Sequence, residues 1–472
     1  MTPDEFRKHA HGLVEWMADY MENVENYPVK SSVKPGDIFC KIPDSPPEKA
    51  EPFESFVKDF REIIMPGITH WQNPNFFAYF PANSSPPSVL AEMLIATLGS
   101  QCMIWETSPA AAELEEKMMI WLREMTALPS YFEGVIQDSA STATLAAILT
   151  AREKKSSFLI NNEGAQNAGI LRVYCSDQTH SSVDKAVKIS GIGKKNLVKV
   201  PVREDFSLDP VKLREEIIKD KKKGYIPCIV VATIGTTGTT AIDPLRAIGE
   251  ICKENDIWLH VDAAMAGTAF ILPEFQWMLD GREYMDSFVF NPHKWMFTNF
   301  DCTAYFVKDA GALIKTFEIL PEYLKTRSRG KVNDYRDWGV PLGRRFRALK
   351  LWSVIRSYGT EGLQDKVRNH IMFARNLAEL ISVETDFEIL APFPLSVVCF
   401  RFIPKGYSSD QINLLNEKLN HALNDSGKLY LSHTVLNGRY TLRMVTSQTN
   451  VTMDHVLKAW EQIKITARSI TL

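Results

Sequence analysis

A short apolar run leads directly into a lysine in Ser287-Phe288-Val289-Phe290-Asn291-Pro292-His293-Lys294-Trp295. The first four residues predict a buried strand that ends just before Asn291. A lysine that follows a strand end can be partly desolvated, which lowers its pKa and makes the amine nucleophilic. Such a lysine can hold an aldehyde cofactor as a Schiff base, although most single lysines are ordinary surface residues. Which of these two interpretations applies to the lysine depends on the other motifs in the sequence.

A second predicted strand ends in an acid 32 residues before that lysine, in Leu259-His260-Val261-Asp262-Ala263-Ala264. This spacing is about one βαβ unit. The Asp262 carboxylate could bond a pyridine nitrogen and keep it protonated, so that the ring accepts electrons, and Ala264 would leave room for the ring face. An isolated aspartate at a strand end more often caps a helix.

Two further motifs carry candidate cofactor ligands, and the second of them follows a short strand. Gln137-Asp138-Ser139-Ala140-Ser141-Thr142 opens an apolar helix, and hydroxyls with free N–H groups at a helix N-terminus can bind phosphate. Taken alone, this cluster is also a good N-cap. Asp177-Gln178-Thr179-His180-Ser181-Ser182 places an imidazole where it is usually structural, but where it could also stack on an aromatic cofactor.

Together the four motifs indicate pyridoxal phosphate as the cofactor. Lys294 would be its anchor and Asp262 the partner of its pyridinium nitrogen. The turn at residues 139–141 would hold the phosphate, and His180 would stack on the ring.

From about residue 84 the chain alternates short apolar runs with polar segments of helical length. The runs lie at residues 171–174, 228–233, 257–261, 287–290 and 303–307. This rhythm predicts an α/β fold with a mostly parallel sheet, helices on both faces, and ligands beyond the carboxyl ends of the strands.

The rhythm differs at both ends of the chain. Two amphipathic helices and a proline-rich connection come first, and their small apolar content means that they must pack on something else. The end of the chain alternates helices and strands, with a hairpin predicted at Asn437-Gly438. We therefore predict an N-terminal helical segment at 1–83, a large α/β domain at 84–350 and a small α+β domain at 351–472.

The composition excludes several classes of protein. Apolar residues make up 45% and charged residues 24% of the 472 residues, and the net charge of −3 gives no field that would attract nucleic acid or a membrane. The seven cysteines include no C-x-x-C pair, which argues against a disulfide framework or a thiolate metal site and favours reduced thiols in a cytoplasmic protein. We predict no signal peptide, and the longest apolar stretch, near 226–234, is too short to span a bilayer.

The chain resembles the group II pyridoxal-phosphate-dependent decarboxylases, and specifically the aromatic-L-amino-acid decarboxylases. The resemblance runs essentially end to end. Its most specific blocks are Phe76-Phe77-Ala78-Tyr79-Phe80-Pro81 and Phe290-Asn291-Pro292-His293-Lys294-Trp295. Further matching residues lie at 70–71, 134–137, 176–178, 180–183, 260–264 and 341–347. The resemblance implies fold type I, the aspartate-aminotransferase-like fold, and a homodimer with shared active sites in which the N-terminal helices clasp the partner subunit.

The resemblance also implies the residues of the site. The expected catalytic residues are Lys294, Tyr323, His180 and Asp262, with Tyr323 on a loop that closes over the site and protonates the carbanion left by loss of CO₂. The expected cofactor-binding residues are Ala140, Ser141, His180, Thr237, Asp262, Ala264, Asn291, His293, Lys294 and, from the other subunit, Gly343. The expected substrate pocket contains Trp71, Tyr79, Phe80, Pro81, Gln101, Met103 and Leu342. No metal is expected, and Arg443 matches a family arginine near the site.

The activity implied is decarboxylation of an aromatic L-amino acid to the arylethylamine and CO₂. Tryptophan, 5-hydroxytryptophan, tyrosine and dihydroxyphenylalanine all remain possible substrates, because Gln101 and Met103 depart from the apolar or aromatic residues of the animal enzymes. Relatives that form aldehydes tend to carry Phe in place of Tyr323, or Asn in place of His180. Both residues here therefore favour plain decarboxylation over the alternative, an aromatic aldehyde synthase. An aminotransferase and a cofactor-free scaffold are further alternatives.

One departure lies at the phosphate turn. Asp138 stands where the family has glycine, and its carboxylate adds negative charge near a phosphate group. We expect this charge to weaken cofactor binding unless the side chain points to solvent.

Overall fold

In the computed structural model, which describes residues 1–319 and 331–471, seven strands form the central sheet. The strands are β1 Glu133–Gln137, β2 Leu171–Ser176, β3 Leu197–Val200, β4 Ile226–Thr233, β5 Trp258–Asp262, β6 Ser287–Phe290 and β7 Thr303–Val307. Their order across the sheet is β1-β7-β6-β5-β4-β2-β3. Only β7 runs antiparallel to its neighbours, so the predicted mostly parallel α/β sheet is confirmed. Because β1 is antiparallel to β7, it runs the same way as β2–β6, and these six strands end at one edge.

Helices cover both faces of this sheet. In chain order the helices are α1 Pro3–Asn23, α2 Phe53–Asp59, α3 Pro86–Leu98, α4 Pro109–Met125, α5 Ala140–Lys155, α6 Ile160–Glu163, α7 Ser182–Ile189, α8 Pro210–Lys222, α9 Leu245–Glu254, α10 Pro292–Trp295, α11 Ala310–Phe317, α12 Arg347–Ser382, α13 Ser409–Asp425 and α14 Met453–Ser469. Helices α5, α7 and α11 form one packed group, and α8 and α9 form another.

The central helix α5 lies close to the sheet because its inner face is made of small side chains. Ala143, Ala146 and Ala147 are fully buried, and α5 contacts strands β1, β4, β5, β6 and β7. Alanine also has the highest helix propensity, so the sequence favours both the helix and its close approach. This packing fixes the N-terminus of α5 at the edge where the parallel strands end.

A smaller sheet is built from the last part of the chain. It contains β8 Phe387–Ile389, β9 Val397–Phe402, β10 Ser432–Leu436 and β11 Arg439–Val445, in the order β10-β11-β9-β8. The β10–β11 hairpin turns at Asn437 and Gly438, whose φ values of 50° and 77° match the two-residue turn predicted there. Helices α13 and α14 pack against each other, and α13 packs on β11.

The described residues divide into two compact units. One contains Met1–Pro81, Arg375–Leu390 and Val398–Leu472, and the other contains Ala82–Ala374 and Ala391–Val397. No residue of α1 is buried, in keeping with the small apolar content of the N-terminal segment. The three predicted domain boundaries stay a prediction. No helix in the part of the chain that the structure describes is long and apolar enough to cross a membrane.

Most predicted strands agree with the structure to within two residues. The strands predicted at 287–290 and 303–307 have those bounds. Strands β2 and β4 are two residues longer than predicted at one end, and β5 is shifted by one residue. Strands β1 and β3 are not predicted from the sequence, because each is short and its apolar signal is weak. Helix α12 contains one non-helical residue, Gly359, at φ 65°.

Candidate active site

Five strand ends bring most of the predicted cofactor residues to one edge of the sheet. Strand β5 ends at Asp262, with Ala264 just beyond it, and β6 runs directly into Asn291, His293 and Lys294. His180 follows β2, Thr237 follows β4, and Ala140 and Ser141 follow β1 at the start of α5. This edge is where ligands bind in parallel α/β sheets.

Lys294 lies in the single helical turn α10, directly after the fully buried strand β6. Its side chain is half-buried. Burial lowers the pKa of Lys294 below its ordinary value, and the carboxylate of Asp262 opposes this effect in part. The unprotonated amine, which is the nucleophilic form, is therefore favoured more than in a surface lysine.

Asp262 is buried at the end of β5, with 4% of its surface exposed. Its Oδ1 accepts a hydrogen bond from the backbone N–H of Ala264 at 3.0 Å, and this bond orients the carboxylate. The backbone is held as well, because Ile234 donates its N–H to the Asp262 carbonyl and Asn291 donates its N–H to the Ala264 carbonyl. The carboxylate is thus fixed between β4 and β6.

His180 shares an electrostatic environment with these two residues. Burial lowers its pKa, the charge of Asp262 raises it, and the charges of Lys294 and Lys185 lower it. The backbone N–H of Ser182 donates to His180 Nδ1 at 3.2 Å. Because Nδ1 accepts this bond, the neutral ring carries its proton on Nε2. The structure therefore brings Lys294, Asp262 and His180 together.

Asn291 and His293 are locked into the framework around the lysine. The hydroxyl of Thr303 donates to Asn291 Oδ1 at 3.0 Å. His293 and Cys302 exchange two bonds, since His293 Nδ1 accepts the N–H of Cys302 and the Cys302 carbonyl accepts the N–H of His293. Burial, reinforced by the charge of Lys294, lowers the pKa of His293 to about 3, so its ring is a neutral acceptor.

The start of α5 forms the candidate phosphate end of the site. Ser139 caps the helix by accepting the N–H of Thr142, while Ser141 is exposed at the positive end of the helix dipole. Asp138 is half-buried, and a cation lies near it. Burial alone would lower the pKa of Arg347, but Asp301, with a smaller contribution from Asp138, raises it. Arg347 thus offsets part of the extra negative charge.

A second group of predicted residues lies elsewhere in the same unit. The backbone N–H of Arg344 donates to Gln101 Oε1 at 2.8 Å, and a Cβ added at Gly343 would lie 3.3 Å from Gln101 Nε2. Leu342 is exposed, and the carbonyl of Met103 accepts the N–H of Arg336. The structure therefore joins Gln101 to Arg344, next to Gly343, through one hydrogen bond.

The aromatic residues Trp71, Tyr79, Phe80 and Pro81 belong to the other unit. The rings of Trp71 and Tyr79 stack at 5.9 Å with an interplanar angle of 19°, and both side chains are more than a third exposed. The guanidinium of Arg443 lies 5.6 Å from the ring centre of Phe80. Tyr323 lies outside the described residues.

Several residues that support the site are not predicted from the sequence. Ser182 and Thr303 could be found from local pattern, because each is a hydroxyl close in sequence to a residue that it orients. A cluster of charged residues near His293 has no local sequence pattern that would predict it. In it Arg347 binds Asp301 through two hydrogen bonds of 3.0 Å, and Lys350 lies 2.9 Å from Glu92.

Comparison with known proteins agrees with this arrangement. The family model described as the pyridoxal-dependent decarboxylase conserved domain matches residues 35–403. The chain is 43% identical over 478 residues to tyrosine decarboxylase 4 of Petroselinum crispum, covering 98% of this chain and 93% of that protein. It is 44% identical over 481 residues to a phenylacetaldehyde synthase of Petunia hybrida, covering 98% and 94%.

Among solved structures, the Oryza sativa TDC with PLP and tryptamine superposes with a TM-score of 0.96 at 36% identity, covering 99% of this chain and 98% of that chain. This likeness confirms the predicted fold type I architecture. We conclude that the chain belongs to the pyridoxal-dependent decarboxylase family, and that it is a pyridoxal-phosphate enzyme of the carboxy-lyase class.

Proposed function

We propose that this protein decarboxylates an aromatic L-amino acid to the arylethylamine and CO₂. The observation that carries the proposal is the grouping of Lys294, Asp262 and His180 at the carboxyl ends of β6, β5 and β2. The named relatives add support, because they include a tyrosine decarboxylase and a structure with bound tryptamine.

The donor set at this edge fits pyridoxal phosphate. Lys294 supplies an amine of lowered pKa for the aldehyde, and Asp262 supplies a buried, oriented carboxylate for the ring nitrogen. We assign the phosphate to Ala140, Ser141 and Asn291. The remaining proposed cofactor residues are His180, Thr237, Ala264, His293 and, from a partner subunit, Gly343. When bound, the cofactor supplies a protonated ring that accepts the electron pair of the bond to the leaving carboxyl group.

The side chains of this chain have separate tasks in that reaction. Lys294 Nζ binds the aldehyde before substrate arrives and recovers it when the amine leaves. Asp262 keeps the proton on the ring nitrogen, and the His180 ring covers the cofactor and excludes water. Tyr323, which lies outside the described residues, is proposed to give a proton to the substrate Cα, as its counterpart does in the family that the chain resembles.

Gln101 favours phenolic over indolic substrates. Because the backbone N–H of Arg344 can only donate, it fixes the Gln101 carbonyl toward itself and leaves the amide N–H₂ as the free end. An amide N–H₂ suits a phenol oxygen better than an indole N–H, since the indole is only a donor. We therefore propose tyrosine or dihydroxyphenylalanine ahead of tryptophan. Trp71, Tyr79, Phe80, Pro81, Met103 and Leu342 are proposed to complete the aromatic pocket.

We also propose that the protein is a homodimer. An apolar stripe on α3 is formed by Leu90, Leu94 and Leu98, which are 60%, 58% and 61% exposed. Helix α1 buries none of its residues. Exposed apolar faces of this kind mark interfaces, and a second copy of the chain would cover them. The seven cysteines include no C-x-x-C pair, which supports the proposed cytoplasmic location.

The test is incubation of the purified holoenzyme with tyrosine, dihydroxyphenylalanine, tryptophan, 5-hydroxytryptophan, phenylalanine and histidine, each supplied separately. Amine, CO₂, aldehyde and peroxide are measured by mass spectrometry and a coupled assay. We expect amine and CO₂ in equal amounts without peroxide, and the highest kcat/KM for the phenolic substrates. Light scattering after gel filtration should give the mass of a dimer.

Two variants separate the proposal from its alternatives. Lys294→Ala should lower kcat on the order of a thousandfold, whereas Lys188→Ala, an exposed lysine on α7, should leave it unchanged. Aldehyde and peroxide from the unmodified enzyme would instead support the aldehyde synthase activity named for the Petunia relative. Tyr323→Phe should divert an enzyme that makes amine toward aldehyde. No product from any aromatic acid would contradict the proposal.

A further inference from the structure

Residues 75–79, here called the aromatic turn, are joined to the C-terminal hairpin by backbone hydrogen bonds. Phe77 donates its N–H to the Tyr430 carbonyl at 2.9 Å, and Tyr430 donates its N–H to the Asn75 carbonyl at 3.2 Å. On the other side, Val445 donates its N–H to the Phe77 carbonyl at 3.0 Å. The aromatic turn therefore lies between Tyr430 and the end of β11 like a short additional strand.

The same turn ends in a strained residue. Tyr79 has a φ of 53°, in the left-handed region that an aromatic side chain rarely adopts. Its backbone N–H donates to Ser432 Oγ at 3.2 Å, which fixes the peptide in this conformation. Tyr79 is 48% exposed, so its backbone is anchored although about half of the residue is open to solvent. The direction of the ring depends on this anchor.

Tyr430 supports the ring from a second side. The hydroxyls of Tyr79 and Tyr430 lie 3.3 Å apart and are hydrogen-bonded. The Tyr430 ring also meets Phe76 and Tyr79 edge to face, at centroid distances of 5.5 and 6.0 Å. Tyr79 also stacks against Trp71. Tyr79 thus contacts both Tyr430 and Trp71.

Ser432 links this ring pair to the next aromatic residue. Its Oγ accepts a hydrogen bond from Arg443 Nη1 at 2.6 Å, in addition to the one from Tyr79. The same guanidinium lies over the ring of Phe80. One hydroxyl oxygen therefore fixes Tyr79 directly and influences Phe80 through Arg443.

We propose that Ser432 and Tyr430 are positioning residues that set which aromatic ring the enzyme accepts, by holding Trp71, Tyr79 and Phe80 in one arrangement. The inference rests on the proposed function, in which those three residues line the substrate pocket. Ser432 and Tyr430 act through the pocket residues, so they change how the substrate ring is bound and leave the chemical step unaltered.

The variants are Ser432→Ala, which removes the shared acceptor, and Tyr430→Phe, which removes the hydroxyl pair and keeps the ring. Each loss of a hydrogen bond should raise KM for the preferred aromatic acid about fivefold. The ratio of KM values for a phenolic and an indolic acid should change, because the two rings differ in shape. The kcat and the cofactor dissociation constant should stay near those of the unmodified enzyme.

Matched controls come from the same hairpin. Thr434→Val removes a hydroxyl two residues along the strand from Ser432. Tyr440→Phe removes a hydroxyl that accepts a hydrogen bond from Asn420, away from the aromatic turn. Neither should change the KM ratio. Ser432→Thr keeps an acceptor oxygen and should restore it.

Two outcomes would overturn the inference. If the unmodified enzyme turns over aromatic acids but the KM ratio is the same in Ser432→Ala, Tyr430→Phe and the controls, the hairpin does not position the pocket. The inference is also wrong if kcat and the melting temperature fall together while the ratio of KM values stays the same, because that result indicates general destabilisation of the protein. If the unmodified enzyme turns over no aromatic acid, the proposed function fails and this inference fails with it.

Discussion

Replacing Asp301 with asparagine should lower the free energy of unfolding by about 2–3 kcal/mol. Asp301 receives two hydrogen bonds of 3.0 Å from Arg347, and the two side chains are only 15% and 13% exposed. Removing one partner of a buried pair costs about 3–5 kcal/mol, because the other charge is left unpaired. We take a lower figure because asparagine keeps one acceptor oxygen and both groups retain some contact with water.

The loss should depend on pH in a defined direction. Burial alone would raise the pKa of Asp301, but Arg347 lowers it below the ordinary value of 3.8. A carboxyl group whose pKa is lower in the folded state stabilises the fold above its unfolded pKa, and loses this effect as the pH falls through the folded value. The difference between the two proteins should therefore be constant around neutral pH and shrink below about pH 4.

The measurement is urea denaturation followed by tryptophan fluorescence at several pH values. The matched control is Asp280→Asn, because Asp280 is also bound by both Nε and Nη2 of one arginine, Arg246. Those side chains are 63% and 45% exposed, so solvent screens the pair and we expect a much smaller shift in the midpoint. Equal shifts for the two variants, or a loss for Asp301→Asn that does not shrink as the pH falls below about 4, would refute the argument from burial.

Three other substitutions test the framework of the site. Gly267→Ala places a methyl group against Phe290 Cβ and should destabilise the fold by about 1–3 kcal/mol. The control is Gly362→Ala in α12, where an added Cβ lies an ordinary 3.7 Å from Tyr358 Cβ, and it should stabilise the fold by about 0.5–1 kcal/mol. Urea denaturation measures both. Asp262→Asn removes a charge that raises the pKa of both Lys294 and His180. The pH midpoint for modification of His180 by diethyl pyrocarbonate should therefore move to lower pH. An unchanged midpoint would exclude an effect of the Asp262 charge on the pKa of His180. Thr303→Val removes the hydrogen bond to Asn291 and should raise the pyridoxal phosphate dissociation constant about fivefold in a fluorescence titration. A dissociation constant equal to that of the unmodified protein would exclude a role for this hydrogen bond in cofactor binding.

The core of the site could be predicted from sequence because its signals are local. Lys294, Asp262 and His180 each follow an apolar run, and parallel strands end at the same edge of a sheet. Three local patterns are therefore enough to place three side chains together. The hairpin at Asn437-Gly438 was predictable for the same reason, since both turn residues favour positive φ.

The contacts that support the site depend on residues far apart in sequence. Arg347 and Asp301 are 46 residues apart, and nothing in the sequence around either indicates the other. Gln101 was expected only to contact substrate, but its carbonyl oxygen is taken by the N–H of Arg344. Strand β1 has two strongly apolar residues, Val135 and Ile136, and is defined by its pairing with β7 rather than by its own pattern.

The hydrogen bond between Tyr79 and Ser432 has a consequence for how the protein is made. Its two residues are 353 positions apart in the sequence. During synthesis on the ribosome, the bond therefore cannot form until Ser432 has been added to the chain. At about 5–20 residues per second, the delay is roughly 20–70 seconds. Throughout that time the nascent chain carries Trp71, Phe76, Phe77, Tyr79 and Phe80 without the hairpin that later holds them. We expect these exposed aromatic side chains to be the part of the nascent chain that most requires binding by a chaperone.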